Sequence, residues 1–254
     1  MSNTSEYPAS VVDLRTDPVT ERIRATWVAG DFGRIATSYA PGAAEFVARL
    51  QLQRDERVLD VACGTGNLAL PAARAGAQVT GIDIAPNLIA QAIVSAAAEN
   101  LSAQFEVGDA ELLPYEDASF DTVITMFGAM FAARPSRAAA ELLRVTKPGG
   151  RIAMANWTPT GFIGQMLKII VGYVPPPAGS MPVTQWGDES VVRERLDGVQ
   201  SITCVRRRIL FNFAASPAEA VRQFRDFYGP TVRAFGMLND EQRGALERDL
   251  IQLW

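Results

Sequence analysis

The sequence predicts a doubly wound α/β fold with a mostly parallel sheet, and three observations predict it. From residue 57 onward, short β-branched runs alternate with alanine-rich helical stretches, the sequence form of βαβ units. The first of these runs leads straight into a glycine loop, CGTG at 63–66. Carboxylates stand at the ends of the first three runs, at Asp60, Asp83 and Asp109.

Residues 1–50 read as a helical segment, with 43–50 a helix that follows a Pro41-Gly42 break. Its aromatics Trp27, Phe32 and Tyr39 suggest packing against the sheet domain, and a lid over a ligand is the more ambitious reading. Residues 51–160 form the α/β core. Its strands are expected at 57–62, 78–83, 105–109, 120–126 and 151–156. Helices are expected at 67–75, at 87–99 with Pro86 in the first turn, and at 135–145, which runs into the stop signal KPGG. Residues 161–254 form a substrate-side region in which the alternation weakens. A helix spans 158–170, the triple proline of VPPPAG cannot be regular structure, and 188–196 is helical. Residues 202–213 alternate as a sixth strand, and 216–254 reads as helices joined at Gly229-Pro230.

Composition excludes several functions. The 254 residues suffice for a large core, hiding roughly 70–75% of the unfolded surface. No apolar run reaches the length of about 20 residues that a membrane span needs. The first residues, MSNTSEYPAS, lack the basic start and apolar middle of a secretory signal, and Cys63 and Cys204 fit a reducing compartment, so the expected location is cytoplasmic. With 24 basic against 28 acidic residues and no basic stripe, no nucleic-acid partner is expected. There is no histidine, the usual neutral-pH base and commonest transition-metal ligand, so no metal site is expected and no catalytic acid or base is assigned.

The most informative string is VLDVACGTGN at 58–67. A strand running into Gly-x-Gly lets a ligand approach the backbone over a helix N-terminus. The same residues read as Gly64-x-Gly66-x-x-Ala69, so a dinucleotide fold must be weighed. Asp60 separates the two readings, since a carboxylate there repels a pyrophosphate and attracts an ammonium. Asp83 stands where a carboxylate accepts both hydroxyls of a ribose, and Asp109 where one takes a hydrogen bond from an adenine amino group.

With these residues the chain resembles the class I S-adenosylmethionine-dependent methyltransferases, particularly the ubiquinone and menaquinone C-methyltransferase group. VLDVACGTGNLAL resembles that family's first motif, GIDIAPNLI its second, VGDAELLPYEDASFD its third, and ELLRVTKPGGRIAMANW its helix and turn after strand four. The resemblance covers about residues 33–157. It implies S-adenosyl-L-methionine as cofactor and a Rossmann-like sheet of seven strands with the last antiparallel, from which this chain departs in offering no convincing strand for that last place. By the same resemblance Ala62, Gly64, Thr65 and Gly66 surround the methionine part, Asp60 sits near its amino group, and Asp83 holds the ribose with Ile84 against the adenine. Asp109 and Ala110 read the adenine edge, the Met126 region lies beneath the sulfonium, and Tyr39 matches an aromatic that helps close the site.

The methyl acceptor is expected to be a small apolar or aromatic molecule, because the variable elements carry Phe127, Met130, Trp157 and Trp186 as candidate contacts. Core packing explains the same residues about equally well. Methyl transfer by in-line displacement needs alignment more than a base, so positioning is the expected mechanism. Two alternatives stand beside this reading: an NAD-type oxidoreductase, and a non-catalytic S-adenosylmethionine-binding protein. The sequence says nothing about oligomeric state.

Overall fold

The computed structural model describes residues 17–177, 179–213 and 216–254. Three helices come first: α1 (Pro18–Val28), α2 (Phe32–Thr37) and α3 (Ala40–Leu50). The core then runs β1 (Arg57–Val61), α4 (Ala69–Arg74), β2 (Gln78–Asp83), α5 (Pro86–Ala98), β3 (Ala103–Val107), β4 (Phe120–Met126), α6 (Pro135–Val145) and β5 (Thr146–Ala155). Five further helices follow among the described residues: α7 (Phe162–Tyr173), α8 (Glu189–Arg195), α9 (Pro217–Phe227), α10 (Gly229–Met237) and α11 (Asp240–Leu253), with a 3₁₀ turn at Val183–Gly187 before α8.

The five strands are parallel in the order β3-β2-β1-β4-β5, so the chain reverses its direction of winding between β1 and β4. Open α/β sheets place ligands at the carboxyl ends of the strands flanking such a switch point. Both sheet faces are covered, and the period-two alternation of side chains shows how. Val58 joins Val47, Leu68, Ala72 and Val79 under α3 and α4, while its neighbours Leu59 and Val61 join Ile82, Val123, Leu142 and Val145 on the face of α6.

Helices α7, α9, α10 and α11 form a separate apolar layer beside the sheet, built on Ile163, Met166, Val221, Phe224, Leu246 and Leu250. Helix α1 packs on both α10 and α5, tying that layer to the sheet domain.

Four expectations are corrected here. Residues 202–213 form no strand; they run extended, with Asn212 N–H donating to Ser38 O at 2.8 Å. Their alternation is used by seating Ile209, Phe211 and Phe213 on the neighbouring apolar clusters while Leu210 faces water, so packing against side chains replaces pairing at a sheet edge. Pro41-Gly42 does not break a helix; it lies in the first turn of α3, where proline is tolerated. KPGG does not precede β5 but bulges within it: Phe120 pairs Thr146 and Thr122 pairs Arg151, with Gly149 at φ +76°. The helix expected from 158 begins at Phe162, because Thr158 Oγ1 accepts from Gly161 N–H at 3.0 Å and holds a turn there.

Candidate active site

A cleft opens at the carboxyl ends of β1 and β4, where open α/β sheets place their ligands. Its floor is the glycine loop. Gly64 and Gly66 sit at φ +55° and +88°, where a side chain would be strained, and this lets the backbone curl across the top of β1. Two non-glycine residues are also left-handed here, Ala62 at φ +56° and Phe127 at +56°, at the ends of adjacent strands. Such strain gathers at sites where a particular backbone direction is held by its surroundings. The two ends also touch closely: a Cβ on Gly128 would stand 2.5 Å from the carbonyl oxygen of Ala62.

Three acids organise the loop. Asp83 accepts from Gly64 N–H at 2.8 Å and from Ala85 N–H at 2.9 Å, so one carboxylate clamps the loop and the start of α5 together. Asp60 accepts from Ala69 N–H at 3.0 Å, capping α4 while lining the cavity. Asp109 accepts from Glu111 N–H at 2.9 Å and from Thr20 Oγ1 at 3.4 Å, which brings α1 onto the end of the third motif.

Burial pushes the Asp60 carboxyl well above its ordinary range, and neighbouring Asp83 raises it further. Asp83 and Asp109 are likewise raised by burial, opposed in each case by the backbone donors. Among the described residues, no basic side chain forms an ion pair with any of the three. A cation entering the cleft would offset that burial and favour the carboxylate forms, so this set of acceptors fits an ammonium and a sulfonium. Burial and the charges of Asp60 and Asp83 raise the Cys63 thiol, so it stays protonated and is no nucleophile. Burial also raises the Tyr39 phenol, which removes it as a base near neutrality.

Of the expected cofactor contacts, Tyr39, Asp60, Ala62, Gly64, Thr65, Asp83, Ile84, Asp109, Ala110 and Met126 all line this one cavity. Gly66 does not; it packs behind the loop near Leu70 and Phe105. Phe127 lines both this cavity and a smaller hollow, which Trp157 also lines. Met130 and Trp186, expected as substrate contacts, line neither. They are fully buried together with Ala139 and Leu196, because the 3₁₀ turn Ala129–Phe131 directs Met130 toward α6.

The sequence reading named Trp27 as packing on the sheet domain or lidding a ligand, and it forms part of the cavity wall; it missed Ile23 beside it and the way α1 is anchored. The helix is clasped from its first turn, since Arg134 pairs with Asp17 at 2.7 Å and with the buried carboxylate of Glu111 at 2.9 Å. Asp17 also caps α1 through Thr20 N–H at 3.0 Å. The Asp-x-x-Thr/Glu start at 17–21 was the available signal for the helix, but nothing local pointed to residue 134.

Comparison with known proteins fits this geometry. Residues 59–154 match the methyltransferase domain family. An uncharacterized protein of Mycobacterium tuberculosis is 40% identical over 220 residues, covering 85% of this chain and 80% of the relative. The demethylmenaquinone methyltransferase of Deinococcus radiodurans is 40% identical over 129 residues, 49% of this chain and 54% of that enzyme. The chain belongs to the class I S-adenosylmethionine-dependent methyltransferases.

As in that family, the methyltransferase uses S-adenosyl-L-methionine as its cofactor, which sets aside the oxidoreductase alternative. A solved structure concerning conversion of a disulfide bond into a thioacetal group during echinomycin biosynthesis is 27% identical, covering 67% of this chain and 71% of its own, with a TM-score of 0.54. The YcgJ protein from Bacillus subtilis shares the fold at 18% identity and a TM-score of 0.57, covering 81% of this chain and 88% of its own. Among the described residues of the methyltransferase, no helix is long and apolar enough to cross a membrane.

Proposed function

We propose that the enzyme methylates a small apolar or aromatic molecule in the cytoplasm, and not a nucleic acid. One observation carries this reading: beside its three acids the cofactor cleft is walled by Trp27, Phe32, Tyr39, Phe127 and Phe131, with Ile23 and Met126, so the surface an acceptor meets there is aromatic and apolar. The mildly acidic balance of the chain supports a neutral small molecule over a polyanion.

We further propose that Asp83 holds the ribose, Asp109 and Ala110 the adenine edge, and Asp60 the ammonium, with Gly64, Thr65 and Met126 around the methionine part. When bound, S-adenosylmethionine supplies a methyl group on a sulfonium that is displaced in line. The chain contributes alignment and exclusion of water. Among the described residues lining the cleft none is placed as a base: the three acids are held by backbone donors, and Tyr39 and Cys63 stay protonated. The acceptor therefore brings its own nucleophile. Helices α1–α3 and α7–α11 supply much of the acceptor side, joined by Phe127 and Trp157 from the 51–160 core, which supplies the cofactor side; residues 1–16 of the N-terminal segment lie outside the described residues.

Calorimetry with S-adenosylmethionine, S-adenosylhomocysteine and NADH tests the cofactor assignment, with binding of the first two expected. A mass-spectrometric screen of hydrophobic metabolites then looks for the gain of one methyl group. Methylation of oligonucleotides but of no small molecule would reject the proposal.

A further inference from the structure

Helix α1 lies along the cleft and is held mainly at its two ends. Thr20 is the one buried residue of its eleven, and Ile23 and Trp27 are half-buried in the cleft wall, so the helix has little core of its own. Elements with so few buried apolar contacts open locally before the molecule unfolds. Eleven residues at 1.5 Å each make a span of about 16 Å, which runs from the third acid to the glycine loop. At its start Thr20 Oγ1 donates to Asp109 at 3.4 Å. Near its end Trp27 meets Phe32 edge-on at 5.5 Å, and the Phe32 ring stands 3.7 Å from where a Cβ on Gly64 would lie.

The two ends are held differently. Past the last turn, backbone meets backbone: a Cβ on Gly30 would stand 2.3 Å from Phe227 O, one on Gly229 2.2 Å from Thr26 O, and Asp31 N–H donates to Phe227 O at 3.0 Å. Main-chain contact this close makes a fixed pivot at the junction of α9 and α10. At the first turn the tie is a single guanidinium. Arg134 gives one arm to Asp17 at 2.7 Å and another to Glu111 at 2.9 Å, and the two carboxylates are 9% and 2% exposed. Glu111 N–H in turn donates to Asp109 at 2.9 Å. One side chain thus fastens the start of α1 to the loop that carries the third acid.

We propose that Arg134 is a positioning residue that gates the cofactor: its ion pair with Asp17 latches α1 across the Asp109 end of the cleft, and the ligand enters and leaves as that pair parts and the helix swings about Gly30. The proposal rests on the methyltransferase reading above and deepens it. An ion pair in open water makes a weak latch. This one is largely withdrawn from water and its charge-assisted bond is of the stronger kind, yet a single pair can part without unfolding the core. Because the latch stands closed over the cleft, it must part both to admit the ligand and to release it. Weakening it therefore speeds both steps and leaves the equilibrium affinity nearly unchanged, whereas loss of an ordinary ligand contact speeds release alone.

The test is stopped-flow tryptophan fluorescence on the full chain with S-adenosylhomocysteine as probe, read beside calorimetry; Trp27 in the cleft wall supplies the signal. Asp17→Ser removes the partner of Arg134 while keeping a capping oxygen for Thr20 N–H. Association and dissociation rates should both rise about tenfold, the effect of losing one charge-assisted hydrogen bond, with Kd within about twofold of the unmodified chain. Arg134→Lys, which keeps a charge for Glu111 but lacks the second arm, should reproduce the pattern. A rise in the dissociation rate alone, or rates unmoved in both variants, would overturn the proposal. Failure of S-adenosylhomocysteine to bind the unmodified chain would remove the cofactor reading and the latch with it, whereas unmoved rates in a chain that binds would sink the latch alone.

Discussion

Asp83→Ala separates a structural role of the second acid from its ligand role. The carboxylate accepts two buried backbone N–H groups, from Gly64 at 2.8 Å and Ala85 at 2.9 Å. Leaving each donor unpaired costs about 1–3 kcal/mol, so the pair spans about 2–6 kcal/mol. Asp83 lines the cavity, and water entering from that side recovers part of this. The expected loss is therefore about 2 kcal/mol. At roughly 2–4 °C per kcal/mol for a chain of this size, Tm of the ligand-free protein falls by roughly 4–8 °C. Differential scanning calorimetry measures that fall, and titration of the same variant with S-adenosylhomocysteine measures the loss of affinity. Asp83→Asn is the informative companion, since the amide keeps one acceptor and turns its NH₂ toward the other donor. An unchanged Tm in Asp83→Ala would refute the clamp, even if affinity were lost.

Asp60→Asn should behave oppositely. Its single backbone bond, from Ala69, survives on the amide oxygen while a buried charge disappears, so Tm near neutral pH is expected to hold or rise as cofactor affinity falls. The folded-state pKa of Asp60 is raised, so the stability linked to its neutral form is full below about 3.8 and is lost as pH climbs through the raised value. A Tm–pH profile should consequently fall less steeply above that point in Asp60→Asn; coincident profiles would count against a buried, unpaired carboxylate. Arg134→Ala strands the buried carboxylate of Glu111 and frees Asp17, at an expected cost of about 3 kcal/mol, with faster proteolytic cleavage in α1 as the second readout. Gly128→Ala drives a Cβ to 2.5 Å from the Ala62 carbonyl oxygen, and a thermal melt together with S-adenosylhomocysteine titration should show both stability and affinity reduced.

The cofactor half of the molecule was legible because its signals are local. Strand β2 falls on residues 78–83 and β4 on 120–126 as read, and the glycine loop with Asp60, Asp83 and Asp109 is contiguous with strand ends whose position the alternation fixes. The acceptor half was legible only in part, because its contacts depend on packing among distant segments. Tyr228 carries no mark in sequence that separates it from Trp186. One lines a cavity where α10 packs on α1 and α9, and the other fills the core between Met130, Ala139 and Leu196, a difference set by packing between distant segments. Residues 202–213 show the converse failure. Period-two alternation reports one wet and one dry side, and a segment laid over Tyr39 and Trp157 satisfies it as fully as a strand does.

The two halves meet at the end of β4, and the backbone explains why. Phe127 donates its N–H to Ala155 O at 2.8 Å, still within reach of the sheet, yet its left-handed φ turns the chain so that its ring stacks on Trp157. Phe127 thus takes its place from the sheet that binds the cofactor while lining both the cofactor cleft and the small aromatic hollow beside it. A β-region residue there would carry the ring along the strand instead of across the cleft. On the proposed reading, the strain at this position, like that at Ala62 on the adjoining strand, is the local cost of holding the cleft wall at a fixed distance from the glycine loop, the kind of fixed geometry an in-line displacement depends on.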